Sequence, residues 1–63
     1  MPIVQIHLLK GRNLEQKKRL VREVTSAICD SIEVKPEQVR IILQEMPMDC
    51  YSVGGGLFSE KNS

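Results

Sequence analysis

Three residues of this chain carry groups that could do chemistry: Pro2, Arg12 and Arg40. Pro2 follows the initiator methionine, which is usually removed when the next residue is small. Removal leaves proline as the N-terminus with a free secondary amine, a group that titrates at about pH 7.7 to 8.0 when unperturbed. The ring holds that amine in one place at the edge of a rigid element, which makes it the candidate reactive group; taken alone, Met-Pro also reads as a common start to a chain. Arg12 lies just past the end of an apolar stretch, where sheet-based sites commonly lie; taken alone it also fits a solvated turn. Arg40 lies inside a second apolar stretch. A guanidinium beside apolar neighbours implies a charged partner or a ligand, and both a structural salt bridge and a ligand contact satisfy that requirement. His7 is best read as a structural histidine hydrogen-bonded between subunits, with a general-base role as the second option.

The other reactive side chains suggest less. Cys29 and Cys50 follow no signal-peptide pattern, so they are expected to be free thiols of a cytoplasmic protein. Nothing near Cys29 points to an activated thiolate. A zinc site needs about four ligands, and these cysteines with His7 have no recognisable ligand spacing. The Gly54-Gly55-Gly56 run is not a phosphate loop, because no Gly-Lys-Ser/Thr follows it.

The elements that must position these groups follow from the hydrophobic pattern. Ile3 to Leu9 reads as a strand with two nearly apolar faces, Val4, Ile6 and Leu8 on one and Ile3, Gln5, His7 and Leu9 on the other. Lys10-Gly11-Arg12 breaks the pattern. Asn13 is a good helix N-cap, and Gln16 completes a capping-box-like pair. Leu20, Val21, Val24, Ala27, Ile28, Ser31 and Ile32 follow at helical spacing. Lys17, Lys18, Arg19, Arg22 and Glu23 read as a solvated surface or rim. Glu33 to Pro36 ends the helix, and Glu37-Gln38 leads into a second strand, Val39 to Met46. Strand, helix, strand with short connections is a right-handed βαβ unit with parallel strands. One helix covers one sheet face, so another subunit is expected to cover the face carrying Arg40 and Ile42. Pro47-Met48-Asp49 signals a turn. Cys50 to Val53 reads as an extended segment, the glycines allow a reversal, and Leu57-Phe58-Ser59 returns as a second arm. Glu60 to Ser63 reads as a frayed polar tail.

At 63 residues the chain is read as a single domain spanning residues 1–63. A domain of this size is marginal alone, and self-association is the expected source of extra burial. With 9 basic and 8 acidic residues the charge is balanced, unlike a general nucleic-acid binder. One tyrosine and one phenylalanine make no stacking platform. The apolar runs are too short to cross a bilayer.

Pro2-Ile3-Val4-Gln5-Ile6-His7, then Leu9-x-Gly11-Arg12, then Glu15-Gln16-Lys17, resemble the start of the 4-oxalocrotonate tautomerase family. Val39-Arg40-Ile41-Ile42, Glu45-Met46, an aromatic at Tyr51 and Val53-Gly54-Gly55 continue the likeness in register. Each motif is weak alone; together they are specific. The resemblance implies an α+β fold, a βαβ unit with a short C-terminal β-hairpin, whose sheet is extended by dimerisation. It implies a homohexamer built as a trimer of dimers. It further implies a cofactor-free, metal-free isomerase of aromatic hydrocarbon catabolism acting on unsaturated 2-hydroxy or 2-oxo carboxylates such as 2-hydroxymuconate. By the same resemblance Pro2 is the general base. Arg12 and Arg40 bind the substrate carboxylates and polarise its oxygen from different subunits, and Leu9, Tyr51 and Val53 form an apolar wall. Two positions qualify this. The family's reference enzymes carry phenylalanine where this chain has Tyr51. Its water-adding members carry a carboxylate in the arm where this chain has Val53, which argues against hydration. The competing readings are a non-enzymatic oligomeric module, structural or small-molecule-binding, and an RNA-binding βαβ fragment motivated by the Lys17 to Arg22 cluster. The second predicts salt-sensitive RNA binding.

Overall fold

The computed structural model describes residues 1–61. Its elements are β1 (Ile3–Leu9), α1 (Leu14–Ile32), β2 (Arg40–Met46), β3 (Ser52–Val53), β4 (Gly56–Leu57) and α2 (Phe58–Lys61). Turns of 3-10 helix at Pro36–Gln38 and Met48–Cys50 punctuate the chain. β1 and β2 pair in parallel, from Ile3 opposite Arg40 to Leu9 opposite Met46. The βαβ unit, the parallel pairing and the C-terminal hairpin are those expected from the hydrophobic pattern.

Both strands alternate. Val4, Ile6, Leu8, Ile41, Leu43 and Glu45 are half-buried, whereas Ile3, Gln5, His7, Arg40, Ile42 and Gln44 are exposed on the opposite face. The half-buried residues of α1 are Lys17, Leu20, Val21, Val24, Thr25, Ile28 and Cys29. The expected apolar stripe is therefore turned slightly: Thr25 and Cys29 are half-covered, while Ala27, Ser31 and Ile32 are exposed.

The helix begins where its cap predicts. The Asn13 Oδ1 accepts from the Gln16 N–H at 2.8 Å, and the Gln16 Oε1 accepts from the Asn13 N–H at 3.1 Å. The helix ends at Glu33, which takes the left-handed conformation at φ 56° and donates its N–H to the Cys29 carbonyl. Pro36 keeps the helix from resuming. The second strand starts at Arg40 rather than Val39, because the Val39 N–H closes the 3-10 turn on the Pro36 carbonyl at 3.1 Å.

The arm is a tight hairpin. Gly54 and Gly55 have φ of 62° and 89°, the double left-handed turn that matches strand twist. Two expectations need correction here. Cys50 belongs to a 3-10 turn, so the extended segment begins at Tyr51, with Ser52–Val53 paired as a strand, and Phe58–Lys61 is a helical turn rather than a returning strand. The Phe58 N–H donates to the Tyr51 carbonyl at 2.7 Å, and the two rings meet edge-on with centroids 5.8 Å apart. That bond continues the hairpin register by one pair beyond Ser52–Leu57, and the chain turns helical from Phe58 onward. Of the expected frayed tail, Glu60 and Lys61 lie in α2, and residues 62–63 lie outside the described residues.

Among the described residues no hydrophobic side chain is buried. The accessible surface is 4928 Å², against about 4,100 Å² for a compact monomer of this mass. The radius of gyration is 14.9 Å, against about 11 Å for a compact chain of this length. Ile3 and Ile42 on the open sheet face are 62% and 45% exposed. A sheet covered on one side only, with an arm extending from it, lacks a closed core of its own.

Candidate active site

Pro2 is half-buried at the N-terminal end of β1, and the preceding Met1 is 77% exposed. The Pro2 carbonyl accepts the Arg40 N–H at 3.0 Å, so the ends of the two parallel strands are joined there. The Arg40 side chain is exposed, and its Nη1 donates to the Glu37 carbonyl at 2.6 Å. Of the two options left open for Arg40, a salt bridge is not formed within the protomer: among the described residues no carboxylate pairs with it. A carbonyl oxygen fixes the guanidinium without neutralising it, so its charge stays available to an anion.

Arg12 lies in the loop between β1 and α1, exposed and without a hydrogen-bond or ion-pair partner among the described residues. The basic cluster on α1 behaves differently. Lys18 pairs with Glu15 at 3.9 Å and Arg19 pairs with Glu23, both as exposed pairs within the helix. The Arg19 hydrogen bond and charge hold the Glu23 carboxyl below its ordinary value and raise the Arg19 guanidinium in turn. These charges largely satisfy one another, as expected of a solvated helix face. Lys17 departs from that reading. It turns inward and meets Glu45 of β2 at 3.1 Å, and both side chains are about seven-tenths covered (27% and 30% exposed).

Leu9 is half-buried at the far end of β1, opposite Met46. Tyr51 and Val53 sit on the arm, 40% and 48% exposed. Within one protomer the candidate residues thus form three groups: Pro2 with Arg40, Leu9 with Arg12, and Tyr51 with Val53. Pro2 and Leu9 lie at opposite ends of β1, separated by about 23 Å at roughly 3.3 Å per residue. No arginine side chain closes that distance. A shallow groove of about 400 Å³ on α1, lined by Val21, Arg22, Thr25, Ser26, Cys29 and Pro36, contains none of the candidate residues.

Cys29 is half-buried and Cys50 exposed, and both are free thiols. Among the described residues no three His, Cys, Asp or Glu side chains are grouped to hold a metal ion. No helix among them is long and apolar enough to cross a membrane.

A parallel βαβ unit, a glycine hairpin and two uncompensated arginines at these positions define a narrow class of protein. The family model for the tautomerase enzymes matches residues 2–61. A 2-hydroxymuconate tautomerase from Pseudomonas putida is 48% identical over 60 residues, covering 95% of each chain. A 4-oxalocrotonate tautomerase isozyme structure from Methylibium petroleiphilum superposes with a TM-score of 0.93 at 38% identity, covering 97% of this chain and 95% of the other. A heterohexameric 4-oxalocrotonate tautomerase from Chloroflexus aurantiacus superposes with a TM-score of 0.89 at 37% identity, covering 95% of this chain and 97% of the other. The chain belongs to the tautomerase family. It is an isomerase of the 4-oxalocrotonate tautomerase type, and the reading as a non-enzymatic module gives way to that finding.

Proposed function

We propose that this enzyme tautomerises 2-hydroxydienoates such as 2-hydroxymuconate to 2-oxo-3-enoates, with the Pro2 nitrogen as general base. The observation that carries the reading is the whole-length likeness to 2-hydroxymuconate tautomerase, together with a family match that takes in Pro2, Arg12 and Arg40. Once Met1 is removed, Pro2 presents a secondary amine at the end of β1. Proton transfer beside a carbonyl needs a base that is neutral near pH 7. Two guanidinium groups and an apolar wall both disfavour the ammonium form and hold the base ready.

The base takes the proton of the 2-hydroxyl; the O–H bond breaks and its electrons move into the dienol. The proton returns to a distant carbon, a C–H bond forms, and the 2-oxo product is complete. Nothing is oxidised and no co-reactant is consumed. Arg12 and Arg40 hold the carboxylates and stabilise the dienolate charge as it develops. Leu9, Tyr51 and Val53 exclude water around it.

The site is built from more than one protomer, because Pro2 and Arg12 sit at opposite ends of β1. A homohexamer, made as a trimer of dimers, supplies those neighbours and covers the open sheet face with Ile3 and Ile42. The test is ultraviolet spectroscopy with 2-hydroxymuconate, after mass spectrometry has confirmed loss of Met1. Turnover that drops sharply in Pro2→Ala is expected. No turnover by the processed protein, with Pro2→Ala indistinguishable from it, would remove the proposal.

A further inference from the structure

Glu45 is anomalous in its setting. It occupies the helix-facing row of β2 with Ile41 and Leu43, opposite Leu8. An apolar residue there would join the row at no desolvation cost, and a half-buried ion pair is weak evidence for stability. What the pair supplies is position. Lys17 reaches Glu45 at 3.1 Å from the first turns of α1, and its own N–H donates to the Asn13 carbonyl at 3.2 Å. The next residue of β2, Met46, accepts the Lys10 N–H at 2.9 Å. The Asn13–Gln16 capping box fixes the start of the helix between these anchors. The loop carrying Gly11 and Arg12 is therefore tied to adjacent residues of β2, to Met46 at Lys10 and to Glu45 through Lys17 of α1. Gly11, at φ 139°, lets the chain turn within that frame. The Arg12 side chain is unpaired among the described residues.

We propose that Lys17 and Glu45 are positioning residues for Arg12: their ion pair fixes the loop from which Arg12 reaches a substrate carboxylate in a neighbouring protomer's site. This rests on the assignment of Arg12 to substrate binding. The pair touches no substrate. It holds the loop's α1 anchor at a set height above β2, and so sets where the guanidinium head is presented.

The experiment compares Lys17→Met, Glu45→Gln and the reversed pair Lys17→Glu/Glu45→Lys, each with and without Arg12→Ala, in the full assembly. Each variant is first checked for native oligomeric mass and thermal midpoint. A shift of the Arg12 head by about 1 Å is enough for a large loss. Lys17→Met and Glu45→Gln are expected to raise KM for the dicarboxylate about tenfold with a smaller change in kcat, the same split that Arg12→Ala produces. In the Arg12→Ala background the same changes are expected to cost less than about twofold, because the group they position is gone. The reversed pair is expected to regain most of the lost affinity. A purely structural role would lower the thermal midpoint and cost the same in both backgrounds; that result overturns the proposal. So does an unchanged KM in correctly assembled Lys17→Met and Glu45→Gln. If Arg12→Ala itself leaves KM and kcat unchanged, the assignment of Arg12 fails and this proposal fails with it. That outcome is distinct from one in which Arg12 matters and the pair does not.

Discussion

If the site takes Pro2 from one chain and Arg12 from another, two impaired variants should repair each other. Pro2→Ala removes the fixed secondary amine, and Arg12→Ala removes a carboxylate clamp. Each homo-oligomer has one defect in every site. The roughly 23 Å between the ends of β1 is too long for one chain to supply both groups, so a mixed assembly redistributes the defects. In a random one-to-one mixture the Pro2-bearing chain is intact at half the sites and the Arg12-bearing chain at half. The two conditions coincide at about a quarter of sites in a closed symmetric oligomer. Loss of a positioned general base costs about a hundredfold or more, and a KM raised about tenfold or more by Arg12→Ala costs a like factor at substrate well below KM, so at low substrate a quarter of full activity stands above either parent. The assay is co-refolding from denaturant, native mass spectrometry to confirm mixed assemblies, and initial rates on 2-hydroxymuconate by ultraviolet absorbance. Mass-confirmed mixed assemblies with only the summed residual rates of the parents would refute the inter-chain site.

Three further outcomes follow from particular contacts. Arg40→Leu removes a guanidinium held by the Glu37 carbonyl and should lower kcat by about a hundredfold if it stabilises the developing oxyanion, as read by steady-state kinetics. Asn13→Ala opens the capping box and should cost about 1 kcal/mol per protomer, visible as an earlier denaturant midpoint; an unchanged midpoint would contradict the cap's role. Glu23 should titrate below the ordinary carboxylate range by NMR, because the Arg19 hydrogen bond and charge favour its ionised form. A folded value below the unfolded one means that the pair's contribution is present above the ordinary range and lost as pH falls through the folded value. Arg19→Gln should bring the Glu23 value back up.

Much of the scaffold was legible because each part had a local cause. The two strands show period-two alternation, and the capping box marks the start of α1 within the sequence itself. The sequence also marks the reversal at Gly54-Gly55. The misread elements depend on contacts distant in sequence. Lys17 looked solvated because it carries charge, yet it lies three and four residues before Leu20 and Val21 on the inward face. The available signal was Glu45, a carboxylate in the helix-facing row of β2 that needed a cation. Phe58 and Ser59 looked like a returning strand; the Phe58 N–H does meet the Tyr51 carbonyl across the hairpin, but the chain turns helical from Phe58. Ala27 and Ile32 fit a helical stripe, yet a two-stranded sheet is too narrow to cover them. Ile32, like Ile3 and Ile42, is left exposed in the single protomer. The candidate site has the same character. Its residues are readable by type and position, while one protomer leaves them in three separate groups.

The central claim concerns one atom, the nitrogen of Pro2. While Met1 is attached, that nitrogen is an amide with no lone pair free for proton transfer. Intact-mass measurement of preparations with graded Met1 removal, each assayed on 2-hydroxymuconate, tests this directly. Turnover should rise in proportion to the fraction of chains beginning at Pro2 and vanish when every chain keeps Met1. Equal turnover from chains that retain Met1 would contradict the account.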